Sequence, residues 1–243
     1  MTYCVGMRLN KGLVFMSDTR TNAGVDNVAT VRKMFTWHKP GERMITLLTA
    51  GNLATTQSVV SILDERTKVP AERNPSLLET PTMFQAARLV GEALRETIQT
   101  NVQSGQSAEA MFGATLIMGG QIKGTPPRLF LIYPQGNFIE ATDDNPYFQI
   151  GEAKYGRPIL VRGYDPDMSF AQAVKLLVVS FDSTLKANLS VGLPIDYQTY
   201  TAGEYEPTHE KRIERDDPYF QTIAHDWAVA LRSAFLSLPD PEL

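Results

Sequence analysis

Thr2, Asp18 and Lys33 are the residues whose types and order could carry out covalent chemistry together. Once Met1 is removed, Thr2 carries both a hydroxyl and a free α-amine. That amine has a reference pKa of about 7.7–8.0, so it can act as a general base near neutrality. One residue then supplies nucleophile and base, the threonine/N-terminal-amine form of nucleophilic catalysis. With Met1 attached, the same nitrogen is an amide and cannot take a proton. The expected reactive species therefore lacks Met1, and Thr is small enough for methionine aminopeptidase to expose it without a longer propeptide. A Met-Thr start alone is a weak signal, because many chains begin this way without consequence.

Spacing strengthens it. A strand begins at Thr2, Lys11-Gly12 is a turn signal, and Leu13-Val14-Phe15-Met16 returns the chain to Ser17-Asp18. Antiparallel pairing predicts Asp18 beside the N-terminus, and Lys33, opening the next apolar strand, can reach the same end. An ammonium there favours the neutral amine and makes the hydroxyl easier to deprotonate. Asp18 would balance and orient it. Plainer readings stand beside this one: Asp18 as a turn residue, Lys33 as solvated charge, Arg20 as a loop cation, Ser17 completing a turn.

Other chemistries find less support. His38, His209 and His225 have no metal-ligand spacing, Cys4 is the one cysteine, and no metal or cofactor is expected. Cys4 lies within the first strand and reads as a small buried hydrophobe. There is no GxxxxGK[ST] loop and no G-x-S-x-G elbow. Glu152 and Asp182 are too far apart in sequence to argue a glycosidase pair. The 243 residues are 43% hydrophobic and 21% charged, which excludes disorder and fibrous repeats. A net charge of −4 gives no basic footprint for nucleic acid, and no apolar run approaches the roughly 20 residues of a membrane helix. A lone cysteine suits a reducing compartment, so a cytoplasmic protein is expected.

The elements that must position these residues read as follows. Strands are predicted over Thr2–Leu9, Leu13–Met16, Lys33–His38 and Met44–Thr49, with 21–30 as a polar loop. Asn52 caps a helix whose face is Leu53, Gln57, Val60 and Asp64. A second helix presents Phe84, Ala87, Val90, Leu94, Ile98 and Val102. Strands return at Phe112–Met118, Arg128–Tyr133, Asn137–Ala141 and Tyr147–Ile150. A helix follows from Ser169 to about Lys186, opened by a Ser169/Gln172 capping box. The last helix starts at Asp217-Pro218 with the stripe Phe220, Ile223, Trp227, Leu231, Ala234 and Leu238. Residues 204–217 read as an exposed segment before it. These blocks predict an α+β fold with sheets face to face and helices outside.

The pattern resembles the N-terminal-nucleophile hydrolases of the proteasome type. The likeness rests on T-x-x-V-G at the start, the strand ending S-D-x-R, Lys33 before an apolar strand, and Ala50-Gly51-Asn52-Leu53-Ala54-Thr55-Thr56-Gln57 opening a helix. Over the whole chain the sequence is similar to the bacterial ancestral β subunits, the Anbu family. The resemblance is strongest over residues 2–60 and extends in element order to about 190. It implies a four-layer αββα sandwich of two antiparallel sheets covered by helices, as one domain spanning 1–243. The shared core would be about 2–190, and a C-terminal extension about 191–243.

The resemblance also implies roles. Thr2 matches the nucleophile, Asp18 and Lys33 its support, and Gly51 the glycine whose N–H receives the oxyanion. Asn22 and Leu53 match positions that bind the substrate strand. Asp182, in Asp182-Ser183, matches the aspartate that helps hold the N-terminus. Two departures stand out. Gly151-Glu152-Ala153-Lys154 replaces a Ser-containing G-S-G-S stretch, and Leu185 replaces a further serine. The network around the amine is therefore expected to be incomplete or rebuilt, with Glu152 a candidate.

The expectation is a threonine-type peptidase acting on peptide or protein substrates inside a homo-oligomeric ring or open helical array, without nucleic acid or membrane as partner. The alternatives are a non-catalytic scaffold subunit and an amidase for small amide or isopeptide conjugates.

Overall fold

The computed structural model describes residues 2–22, 28–68, 75–101 and 112–242. Its first sheet is antiparallel in the order β10-β1-β2-β11-β12, and its second in the order β5-β6-β7-β8-β9. The first contains β1 (Tyr3–Leu9), β2 (Gly12–Asp18), β10 (Tyr147–Gly151), β11 (Ile195–Thr201) and β12 (His209–Ile213). The second contains β5 (Met34–Lys39), β6 (Arg43–Gly51), β7 (Ala114–Ile122), β8 (Arg128–Ile132) and β9 (Phe138–Glu140). Between β2 and β5 the chain forms a small ribbon of β3 (Arg20–Asn22) and β4 (Val28–Thr30). The polar loop expected over 21–30 thus has paired strands at both ends, with residues 23–27 outside the described part.

The central strands β1 and β2 of the first sheet are buried on both faces, which is why they read as near-continuous apolar runs rather than alternating ones. Cys4, Leu13 and Phe15 point inward against Leu48, Ile117 and Leu129 of the second sheet. Val5, Met7, Val14 and Met16 point outward against Leu177, Val178 and Phe181. That outer layer is α3 (Ala153–Gly163), α4 (Phe170–Ala187) and α5 (Pro218–Leu236). On the far side, α1 (Leu53–Lys68) and α2 (Met83–Asn101) cover the second sheet. The result is the αββα sandwich.

Several local expectations hold. Asn52 Oδ1 accepts the Thr55 N–H at 3.0 Å, capping α1. Ser169 and Gln172 form both bonds of the capping box that starts α4. Tyr133 and Asn137 close the β8–β9 hairpin.

Others change. The buried face of α1 is Thr55, Thr56, Val59, Val60 and Leu63, while Gln57 is exposed. Asp64 instead accepts from Trp37 Nε1 at 2.7 Å. In α2, Phe84 is largely exposed beside Phe138, and Met83, Ala86 and Ala93 complete the buried face; Val102 lies outside the described residues. The helix α3 and the strands β11 and β12 were not expected. The segment 204–217 contains β12, paired with β11 from Ile195–Ile213 to Thr199–His209. Since β11 also pairs with β2, the first sheet extends beyond residue 190. Ser17 does not complete a turn: it is a fully buried residue of β2, opposite Cys4. No described helix is long and apolar enough to cross a membrane.

Candidate active site

The site lies where β1 begins, between the two sheets. Pairing of Cys4 with Ser17 across β1 and β2 brings the end of β2 back to the start of β1. Asp18 therefore faces Tyr3, whose backbone N–H donates to Asp18 Oδ1 at 3.0 Å. Lys33 reaches the same oxygen from the segment preceding β5, with Nζ 2.8 Å away. Lys33 Nζ also donates to the carbonyl of Arg20 at 2.5 Å. The other Asp18 oxygen receives the Gly192 N–H at 3.4 Å. Asp18 and Lys33 are both buried.

Burial pushes the Asp18 carboxyl above its ordinary range, with the Lys33 charge and the Tyr3 and Gly192 hydrogen bonds pulling the other way. A cation on an aspartate in a dry site is costly to keep, and an apolar pair would fill the space more cheaply. The pair therefore points to chemistry more than to stability.

Thr2 is held from the opposite side. Its carbonyl accepts the Glu152 N–H at 2.7 Å, one step beyond the Tyr3–Gly151 pair. Gly151 has φ +81°, and a Cβ there would stand 1.8 Å from that carbonyl oxygen. Only glycine lets the chain pass so close to Thr2. Glu152 precedes α3 as its N-cap, yet its side chain makes no capping hydrogen bond.

Tyr3 anchors the next position. Its hydroxyl lies 2.8 Å from Ser180 Oγ and accepts from Gln149 Nε2 at 2.6 Å. Its ring packs on Phe181 at 4.5 Å between centroids. Burial drives the Tyr3 phenol up to about 12. Cys4 is buried against the carbonyl of Thr49, 3.7 Å away, and burial also pushes its thiol well up. Such a thiol stays protonated, matching a packing role rather than a nucleophilic one.

The Cys4–Thr49 contact sets the end of β6 beside the start of β1. Lys33 strengthens this placement, since its carbonyl accepts the Thr49 N–H at 2.9 Å. Gly51 is two residues farther on, exposed, with φ +115°. A Cβ there would meet the Gly113 carbonyl oxygen at 2.5 Å, so the turn from β6 into α1 needs glycine. Leu53, the first residue of α1, is half-buried at the same mouth. Asn22 ends β3 opposite Val28, and its side chain lies outside the described part.

Asp182 does not join this cluster through any bond among the described residues. Its carboxylate takes Lys186 Nζ at 2.8 Å on its own helix, and Lys186 continues to the carbonyl of Ala224 in α5. Its neighbours Ser180 and Phe181 are the ones that touch Tyr3. Sequence reading missed Tyr3, Gln149, Ser180 and Gly192, which the Tyr3–Ser180, Gln149–Tyr3 and Gly192–Asp18 hydrogen bonds join to the site across more than a hundred residues of chain. The Gly151-Glu152 signal was readable as a departure, but its backbone role was not.

Comparison with known proteins adds an independent finding. A sequence description of the family "Proteasome subunit" matches residues 2–195. A proteasome subunit beta from Haloquadratum walsbyi is 25% identical over 215 residues, covering 88% of this chain and 79% of its own. A solved structure of the Anbu (Gly-1) mutant from Hyphomicrobium sp. strain MC1 superposes with a TM-score of 0.92 at 50% identity, covering 100% of both chains. Anbu from Yersinia bercovieri gives a TM-score of 0.92 at 48% identity, with 99% of each chain covered. The helical assembly of the Anbu complex from Pseudomonas aeruginosa gives 0.91 at 45% identity, covering 99% of this chain and 98% of that one.

Proposed function

The chain belongs to the proteasome subunit family, and on that premise we propose that it is a threonine-type amide hydrolase acting from Thr2. The α-amine freed by loss of Met1 takes the proton of Thr2 Oγ as that oxygen attacks the substrate carbonyl. The carbonyl oxygen becomes an oxyanion received by the Gly51 N–H, a contact worth about 2.7–4 kcal/mol where measured in other hydrolases. Collapse expels the amine product, which takes the proton from the α-ammonium. The acyl-enzyme ester is then hydrolysed by water activated by the same amine. Lys33 keeps that amine neutral, and Asp18 fixes Lys33. Leu53 and Asn22 line the substrate strand, and Asp182 acts at one remove, through the helix that grips Tyr3.

One observation carries the reading: Lys33 Nζ and the Tyr3 N–H converge on a single buried oxygen of Asp18, one residue from Thr2. The substrates are peptides or proteins, cleaved inside a homo-oligomer that confines the site in the cytoplasm. The similarity to the P. aeruginosa helical assembly supports self-association.

The test begins with intact-mass measurement to establish loss of Met1. The Met1-free protein is then treated with a threonine-directed electrophile, and the adduct is mapped. A single adduct on Thr2, absent in Thr2→Ala, supports the reading, whereas Met1-free protein that fails to label sinks it. Glu152 and Leu185, standing where the related pattern has serines, favour a second reading as a non-catalytic scaffold. Unchanged hydrolysis in Thr2→Ala would leave the scaffold, with the activity traced to a contaminant. An amidase for small conjugates shares the chemistry, and a panel of peptides against small amide or isopeptide conjugates separates it.

A further inference from the structure

The layer between the two sheets changes character across the sandwich. Over β1, β2, β7 and β8 it is apolar, packed from Cys4, Leu13, Phe15, Ile117 and Leu129. Toward β5, β11 and β12 it turns polar. Gln198 of β11 is fully buried there, and its Oε1 accepts from Thr46 Oγ1 at 2.5 Å. Its Nε2 donates to Thr36 Oγ1 at 2.8 Å and to Glu210 Oε1 at 2.6 Å. Two residues back along β11, Asp196 takes Arg212 Nε and Nη2 at 2.7 and 2.8 Å. Apolar side chains would close this space at less cost than a buried amide and a partly buried ion pair, so the lining points to a polar occupant.

This side of the sandwich is open. Among the described residues β5 and β12 each end their sheet and pair on one edge only, so each presents unpaired backbone N–H and C=O groups. A slot of about 350 Å³ lies there, with Arg32, Met34 and Thr36 on one wall and Asp196, Glu210 and Arg212 on the other. Its volume falls within the range of about 300–1,000 Å³ usual for small-molecule sites.

Two of its charges are unused. Arg32 is exposed and makes no hydrogen bond or ion pair with another described residue. Glu210 gives one carboxylate oxygen to Gln198 and keeps the other free among the described residues. Their separation follows from the strands. Thr36 bonds to Gln198, which stands opposite Glu210, so Glu210 is level with Thr36. Arg32 lies four residues back, about 13 Å of extended chain, and its long side chain shortens that span.

We propose that this slot binds a short peptide with free ends, two or three residues long, its carboxylate on Arg32 and its amine on Glu210. Two or three extended residues span about 7–10 Å, which fits the gap between the two side chains. The peptide's amide groups bond to the open edges of β5 and β12, and its side chains rest on Met34. A long strand is turned away, because β12 carries His209, Glu210, Lys211 and Arg212 in succession, a charged edge of the kind that blocks strand addition.

The slot is separate from the cleft at Thr2 and adjoins it. Asp196 stands opposite Ser17, the neighbour of Asp18, and Arg32 precedes Lys33. Short peptides are what a peptide hydrolase releases into a confined space, so the slot holds product of the reaction proposed above. Only the source of the peptide rests on that reading; the binding does not.

The test is isothermal titration calorimetry on the full chain with trialanine, N-acetyl-trialanine and trialanine amide. Trialanine should bind, and either cap should weaken it by at least about tenfold, as loss of a charge-assisted hydrogen bond does. Arg32→Gln should weaken trialanine by about the same factor and bind acid and amide alike. Glu210→Gln keeps an acceptor for Gln198 and should bind free and acetylated amines alike. Both residues are exposed, so circular dichroism and the melting temperature should stay those of the parent. Trialanine binding that survives both substitutions, or that vanishes once Thr2 carries its electrophile adduct, overturns the slot. So does the absence of any heat with millimolar trialanine. If Thr2 fails to label while binding still depends on both free ends, the catalytic reading falls and the slot stands.

Discussion

Asp18 gives a single oxygen to two donors, the ammonium of Lys33 at 2.8 Å and the backbone N–H of Tyr3 at 3.0 Å. The ion pair is buried, and removing one partner strands the other. Lys33→Met should cost about 3–5 kcal/mol, because the Asp18 carboxylate would keep only its hydrogen bonds to Tyr3 and Gly192. Asp18→Asn with Lys33→Met removes both charges and retains an acceptor for Tyr3. Its stability should return to within about 2 kcal/mol of the parent. Activity should be absent from the single and the double variant alike. Denaturant unfolding paired with Thr2 labelling checks both halves. A double variant as unstable as the single would make the pair structural.

The same geometry sets the expected pH dependence. In the mechanism proposed for a chain lacking Met1, Lys33, bound to the same Asp18 oxygen as the Tyr3 N–H, disfavours a second positive charge on the α-amine. The amine should therefore titrate below its ordinary value of about 7.7–8.0. Acylation should rise with pH along a limb centred below about 7.7 and then level off. Replacing Lys33 with Gln should move that limb to higher pH and lower the plateau. A pH–rate profile of Thr2 acylation measures the shift, and a limb that stays in place would remove Lys33 from the proton balance.

Asp217 gives a prediction about the C-terminal helix. Its Oδ1 accepts the N–H groups of Tyr219 and Phe220 at 3.0 and 3.1 Å, and its Oδ2 takes Lys211 Nζ at 2.7 Å. The Lys211 hydrogen bond holds the carboxyl below its ordinary value. A lowered carboxylate stabilises the fold above its unfolded pKa of about 3.9, and that contribution fades as pH falls through the folded value. Asp217→Ala should cost about 1 kcal/mol at neutral pH through the lost cap. The difference from the parent should shrink below about pH 4. Thermal melts at pH 7 and pH 3 test the sign.

What was legible in the sequence was what is local. The Ser169/Gln172 capping box and the Asp217-Pro218 start are settled within four residues of chain, and both stand as read. The helix α3 was invisible because Gly156 and Pro158 interrupt it and only Gly156 and Leu160 are buried, leaving no apolar period. The strand β11, Ile195–Thr201, hides for a different reason. Its Gln198 is buried between the sheets, bonded to Thr46, Thr36 and Glu210, so a polar letter marks an interior position. In α1, buried Thr55 and Thr56 shifted the face in the same way.

At the site, Asp18 and Lys33 were reachable by strand pairing. Tyr3, Ser180 and Gly192 were not, because no short-range pattern records which distant backbone closes over a strand end. The stripe of α5 was read correctly as apolar, but a stripe does not say whether its partner is the same chain.

Gly151 offers the sharpest separation of backbone strain from site geometry. Its φ of +81° is nearly that of Gly124 at +84°, so an added Cβ is equally disfavoured by local conformation at both. Around Gly124 nothing lies within 4 Å of that Cβ, whereas at Gly151 the Thr2 carbonyl oxygen is 1.8 Å away. Gly124→Ala should therefore cost about 1–2 kcal/mol and leave Thr2 reactivity intact. Gly151→Ala carries the same local cost and must also push Thr2 off the Glu152 N–H, moving the proposed nucleophile against Lys33 and Gly51. A 1 Å displacement at a reacting centre can cost on the order of a hundredfold in rate, so labelling of Thr2 should fall by about that factor. Measured side by side at temperatures where both variants are folded, equal labelling rates would mean that the path of the chain at Gly151 does not position Thr2.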